Sequence, residues 1–124
     1  MAMQPEFDAR TRQLVSRMWG RKHWVVMSKG NGRDIVPYLA EHLDYVIALE
    51  AEGKLFASGP MNAPGSGDGM TILKVETEEE ARVIASADPL VTKLGRTFTP
   101  HPWTVNEGQM TLTVSLSQMA LSLA

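Results

Sequence analysis

The chain has 124 residues, enough for one domain whose core needs neither disulfide nor metal to hold it together. Its composition, 44% hydrophobic and 21% charged, is globular, and twelve basic against fourteen acidic residues leave a net charge of −2. That balance gives no footprint for nucleic acid and no basic patch for an anionic membrane, and the absence of cysteine excludes disulfides, thiolate nucleophiles and cysteine-based metal centres.

No apolar run approaches the ~20 residues of a membrane-spanning helix, and the charged N-terminus lacks a leader-like apolar core. Together with the missing cysteines, this places the protein in the cytoplasm. Residues 1–21 read as an N-terminal appendage, helical where Phe7, Leu14, Val15 and Met18 make one face. Residues 22–28 are apolar and β-branched and end at Gly30-Asn31-Gly32, so they predict a strand and a turn. Asp34 is placed to cap a following helix, with Pro37 tolerated in its first turn. Leu39, Leu43, Val46 and Ile47 then recur at helical spacing, and Gly53 terminates the run.

Residues 54–61 predict a second strand, with Gly59-Pro60 marking a distorted end or an edge position. After the turn-rich stretch 62–69, residues 70–75 predict a third strand, hairpin-paired with the second. Thr77 followed by Glu80 is a capping box that opens a second helix, broken at Ala87-Asp88-Pro89. Residues 95–105 predict a fourth strand, which Pro100 and Pro102 confine to an edge. Residues 22–108 form the domain, and 109–124 are a tail whose alternating Thr111–Leu116 segment predicts a strand on a neighbouring chain or an open edge. The order β-α-β-β-α-β is that of a ferredoxin-like α+β sandwich, with both helices on one sheet face and the other face in need of cover. A second copy of the chain is the simplest cover.

Three segments together carry a family resemblance: AEHLDYVIALEAEGKLFASGPM (40–61), GMTILKVETEEEARVIASADPLV (69–91) and FTPHPWTVNEG (98–108). In their order and spacing they resemble the YCII-related family. The resemblance implies a ferredoxin-like domain that pairs into a dimeric α/β barrel, an architecture similar to that of muconolactone isomerases. It implies a pocket with a polar His and Asp pair, which fall here on His42 and Asp88, beside a turn at Ser58, Gly59 and Pro60. His101 stands where many relatives have Arg before Pro-Trp. Some YCII-like proteins resemble dehydrochlorinases of chlorinated-aromatic breakdown, so the implied chemistry is cofactor-free proton movement beside a carbonyl or loss of HCl.

The residues also have readings of their own. Imidazole is the side chain that ordinarily exchanges protons near neutral pH, and His42 lies at the border of the apolar helical face, where it fills a gap or points into a cavity. Asp88 before Pro89 is a strong helix cap, and one carboxylate oxygen can cap while the other faces a pocket and orients His42. Ser58 is either a turn residue or a holder of a substrate oxygen, since Gly59 lets a ligand approach the backbone. His23 is expected to point outward, and His101 and Trp103 share one sheet face, lining a barrel interior or a dimer interface. The three histidines match no metal-ligand spacing, and neither Gly-rich stretch is a phosphate loop, so no metal and no cofactor are expected.

The expectation is therefore a homodimeric or higher-order enzyme acting on a small molecule, an isomerase or a lyase that eliminates HCl. Its catalytic residues would be His42 and Asp88. Ser58, Gly59, Pro60 and His101 would hold a small cyclic carboxylic acid or lactone, in aromatic or chloroaromatic catabolism. The competing expectation is a non-catalytic ligand-binding or oligomer-forming module with the same pocket.

Overall fold

The computed structural model describes residues 6–123. Residues 1–5 of the expected appendage and Ala124 of the expected tail lie outside the described residues. In chain order the elements are α1 (Ala9–Val15), β1 (Arg21–Lys29), α2 (Val36–Ala51), β2 (Leu55–Pro60), β3 (Gly69–Leu73), α3 (Glu78–Ser86), α4 (Pro89–Thr92), β4 (Thr97–Val105), β5 (Leu112–Ser115) and β6 (Ala120–Leu123). They fall into two compact units: Lys22–Thr104, and the residues before Lys22 together with those after Thr104.

The larger unit holds a four-stranded sheet in the order β2-β3-β1-β4, the ferredoxin-like arrangement. β3 runs antiparallel to both of its neighbours, with Trp24 opposite Leu73, Val26 opposite Thr71 and Ser58 opposite Thr71. The proline-bearing strands lie at the two edges, β4 at one and β2 at the other, where a missing N–H costs least. A register shift between Leu55 and Ala57 distorts β2.

Strand alternation puts Trp24, Val26 and Leu73 on one face, and these pack with Leu49 of α2 and Ala81, Ile84 and Ala85 of α3 to form the core. Leu73 is completely buried, a burial that contributes about 1.5–3 kcal/mol. Local chemistry sets the helix ends. The Thr77 hydroxyl accepts from the Glu80 N–H at 3.2 Å at the start of α3. Gly53, at φ +74°, ends α2 in the left-handed conformation that glycine adopts most easily. Asp34 acts one residue before the cap position of α2, its Oδ1 accepting from the Val36 N–H at 3.0 Å, while Ile35 occupies that position without a side-chain bond.

α2 is rotated relative to the sequence expectation. Its inward stripe is Tyr38, His42, Tyr45 and Leu49, while Leu43 and Ile47 are 48% and 60% exposed. His42 therefore stands on the covered face of α2 rather than at the border of an apolar stripe. The two Gly-rich stretches also prove to be one structure. A Cβ on Gly30 would lie 2.0 Å from the Ser66 carbonyl oxygen, so only glycine allows this approach. The Gly30 N–H donates to Asp68 Oδ1 at 2.8 Å, and Asn62 Nδ2 donates to Asp68 Oδ2 at 2.8 Å.

In the smaller unit α1 is capped by Asp8, whose Oδ1 accepts from the Thr11 N–H at 2.7 Å. The tail forms a hairpin: β5 pairs antiparallel with β6, Val114 opposite Leu121, so the alternating segment finds its partner within the chain. Leu112, Val114 and Leu121 on this hairpin are 55%, 59% and 64% exposed. Among the described residues no helix is long and apolar enough to cross a membrane.

Candidate active site

Two helix features converge on one carboxylate. α2 presents His42 inward, and the break after α3 places Asp88 at the start of α4. His42 Nδ1 lies 2.8 Å from Asp88 Oδ1, and the side chains are 21% and 13% exposed. The same Oδ1 accepts from the Leu90 N–H at 2.9 Å. One oxygen therefore both caps α4 and holds the imidazole, where the sequence suggested a division of labour between two. Asp88 Oδ2 makes no hydrogen bond among the described residues. With Nδ1–H given to the carboxylate, Nε2 is the ring atom left to exchange a proton.

Asp88 forms part of the wall of a shallow, open cleft whose volume of about 260 Å³ counts space open to solvent, with enclosed room for about one water. The sheet contributes Val26, Ser28, Thr71, Leu73 and Phe98 to its lining, and the helices contribute Tyr45, Ala85 and Val91. His42 is not itself in the lining and is joined to the wall through Asp88; it lies one helical turn from Tyr45. The Tyr45 hydroxyl donates to the Ile84 carbonyl at 2.6 Å, fixing α2 against α3. Burial, and then the Asp88 charge, push its phenol pKa well above the ordinary value.

The other expected site residues are distributed unevenly. Ser58 lies directly across from Thr71, so its side chain shares the cleft-side face of the sheet, but it is exposed on edge strand β2 and does not line the cleft. Gly59 and Pro60 follow it, Pro60 opposite Gly69. His101 is two residues from Trp103, whose ring lies 6.2 Å from that of His23 on the opposite sheet face. Within one chain His101 is thus separated from the His42–Asp88 pair. His23 corrects the outward expectation: it is 3% exposed, with the Phe56 ring edge-on at 5.0 Å. Among the described residues no three His, Asp or Glu side chains cluster closely enough to hold a metal.

Sequence reasoning passed over three residues of this region. Tyr45 follows His42 by three positions on a helix, which was signal enough to place it beside the site. Thr71 is legible only once the strand register is known. Arg96 is half-buried immediately before β4, and it carried no motif at all.

The sequence profile of the YCII-related domain family matches residues 27–98. Among solved structures the chain is similar to 5-chloro-2-hydroxyhydroquinone dehydrochlorinase from Burkholderia phenoliruptrix in complex with 2,5-dihydroxybenzoquinone. The TM-score is 0.56 and the identity 22%, covering 65% of this chain and 92% of that one. At that identity the likeness establishes a shared fold. A search of the curated proteins finds no match.

Proposed function

Starting from the fact that this chain belongs to the YCII-related domain family, we propose that it is a cofactor-free cytoplasmic enzyme that moves a proton on a small ring compound. It is a lyase that removes HCl, or an isomerase, acting on a cyclic acid, lactone or hydroxylated ring in aromatic or chloroaromatic breakdown. The observation that carries this reading is the His42–Asp88 pair, 2.8 Å apart, partly open to solvent and at the wall of a cleft. The structural neighbour's dehydrochlorinase activity supports the choice of HCl elimination.

In the proposed step His42 Nε2 takes a proton from a carbon beside a carbonyl, and Asp88 holds the imidazolium that forms. On a chlorinated cyclic ketone the C–H electron pair becomes an enolate, re-forms the carbonyl and creates a carbon–carbon double bond as chloride leaves the adjacent carbon with its bonding pair. On a chlorohydroquinone the keto tautomer carries H and Cl on one ring carbon. Loss of a ring-hydroxyl proton to His42 then forms the second carbonyl and shifts the ring double bond as chloride leaves with its bonding pair. The sum is loss of HCl with no external oxidant or reductant. Isomerisation uses the same first step and returns the proton to a different carbon. Ser58 and the backbone at Gly59-Pro60 stand at the edge of the same sheet face, where they would contact the far side of a ring.

The working form proposed is a homodimer built on the open sheet face. Phe56 and Trp103 are each 41% exposed there, beside half-buried Val25, Met27 and Met70. Such a pairing would also bring His101 of this face into the interior between two copies. Light scattering on wild type and W103E tests it: two chains per particle falling to one is expected, and an unchanged W103E dimer would move the interface elsewhere.

The decisive assay is chloride release from 5-chloro-2-hydroxyhydroquinone, with lactone isomerisation followed in parallel. Wild type turns over, and H42N slows by roughly 10²- to 10⁴-fold with its fold intact. Wild-type rates in H42N would sink the proposed chemistry. The absence of His42 from the cleft lining favours a second reading, a ligand-binding module. That reading holds if wild type binds such compounds without turning any of them over.

A further inference from the structure

Arg96 is a half-buried cation with no ion pair among the described residues. Its Nε is buried and makes no hydrogen bond. The backbone fixes its place: the Arg96 N–H donates to the Leu90 carbonyl at 3.1 Å, and Leu90 is 1% exposed. Its guanidinium lies over Gly69, with Nη2 3.0 Å from the point a Cβ would occupy. Gly69 pairs with Ser28, which lines the cleft, so that Cβ direction is the cleft side of the sheet. The missing side chain at position 69 thus opens the space that Arg96 fills.

Two carboxylates, Asp88 and Asp68, lie close enough to favour its charged form against burial, yet neither bonds to it. Asp68 is already engaged by Gly30 and Asn62, and Asp88 Oδ1 by His42 and Leu90. A buried N–H with no acceptor costs stability unless something supplies one. A guanidinium fork is matched in shape and charge to a carboxylate or a pair of ionised ring oxygens.

We propose that Arg96 is the anchor for an anionic substituent of the ligand, so that the cleft takes small rings bearing a carboxylate or an ionised hydroxyl. This rests on the cleft being the ligand site, as proposed above, and adds what the ligand must carry. The anionic group sits at the Ser28 end, reaching toward Gly69 and Arg96, which are not themselves in the cleft lining, and the reacting carbon faces the His42–Asp88 pair.

The test is calorimetric titration at pH 7 with two probes of one shape: 2,5-dihydroxybenzoquinone, whose enolic hydroxyls are acidic, and its neutral dimethyl ether. Wild type is expected to prefer the anion. R96M should weaken anion binding by roughly 10- to 100-fold and leave the ether unchanged. R96M binding the anion as tightly as wild type overturns the anchor while leaving the proposed chemistry standing. Wild type binding neither probe removes the cleft as ligand site and the anchor with it. If R96M does not fold, the Arg96 Nε–H resonance of wild type, assigned with R96K, decides. Movement with the anion and not the ether supports the anchor, and no movement with the anion overturns it.

Discussion

His42 and His23 lie on opposite faces of one sheet, and the two faces treat an imidazole differently. His42 is 21% exposed at its side chain and rests on a carboxylate, at a face covered by three helices and hollowed into a cleft. His23 is more deeply buried, 3% exposed, with the rings of Phe56 and Trp103 at 5.0 and 6.2 Å. Burial by itself therefore does not mark a proton-transfer group. His42 combines a carboxylate held in place by a helix start with a route to solvent, the combination expected of a proton-transfer group. The aromatic surroundings of His23 give it shape complementarity, which is the property of a packed residue.

The sharpest way to break this contrast is to exchange the consequences of mutation. H42N is expected to lose turnover by the roughly 10²- to 10⁴-fold given above. H23N is expected to lose about 1–3 kcal/mol of stability, from a buried ring replaced by a smaller polar group, with turnover per folded molecule retained. Urea unfolding and chloride release, measured on both variants, form the comparison. A stable H23N without activity would place the chemistry on the wrong face of the sheet.

Much of the larger unit was legible before any coordinates. The order of elements along the chain, the caps at Thr77 and Asp88, the Gly53 terminator and the edge position of the proline strand β4 all follow from local chemistry acting within a few residues. The failures are of another kind. Helical periodicity put Leu43 and Ile47 inside, because a hydrophobicity count sees two aliphatics and discounts two tyrosines. The structure turns Tyr38 and Tyr45 inward with His42, since the space beneath α2 is partly polar. Arg96 and Gly69 stand 27 positions apart in the numbering, and nothing local links an unmarked arginine to a missing Cβ. The mutual packing of Gly30 on Ser66 was hidden for the same reason: each glycine was explicable as a turn on its own. The family resemblance supplied the His42–Asp88 pairing, which periodicity alone left open. That both bonds fall on a single carboxylate oxygen needed the geometry.

A smaller effect sharpens the contrast through pH. Tyr45 is a phenol of the covered face, and its pKa is raised above the ordinary 10.0, first by burial and then by the Asp88 charge. An unfolded chain loses this proton near the ordinary value while the folded chain keeps it, so above pH 10 the folded state binds more protons. The stability tied to the neutral phenol is fully present below that pH and is lost as pH rises toward the elevated folded value. Y45F removes both the titration and the 2.6 Å bond to the Ile84 carbonyl. At pH 7 it should be less stable than wild type by about 0.5–1.5 kcal/mol. The gap should close as pH climbs past 10, because only wild type carries the penalty. Urea midpoints at pH 7, 9 and 10.5 read this directly. Every other group is common to both proteins and cancels in the difference. Parallel curves for the two would mean that Tyr45 is solvated in solution, and that the helix face carrying His42 is looser than the packed arrangement in which its bond to Asp88 forms.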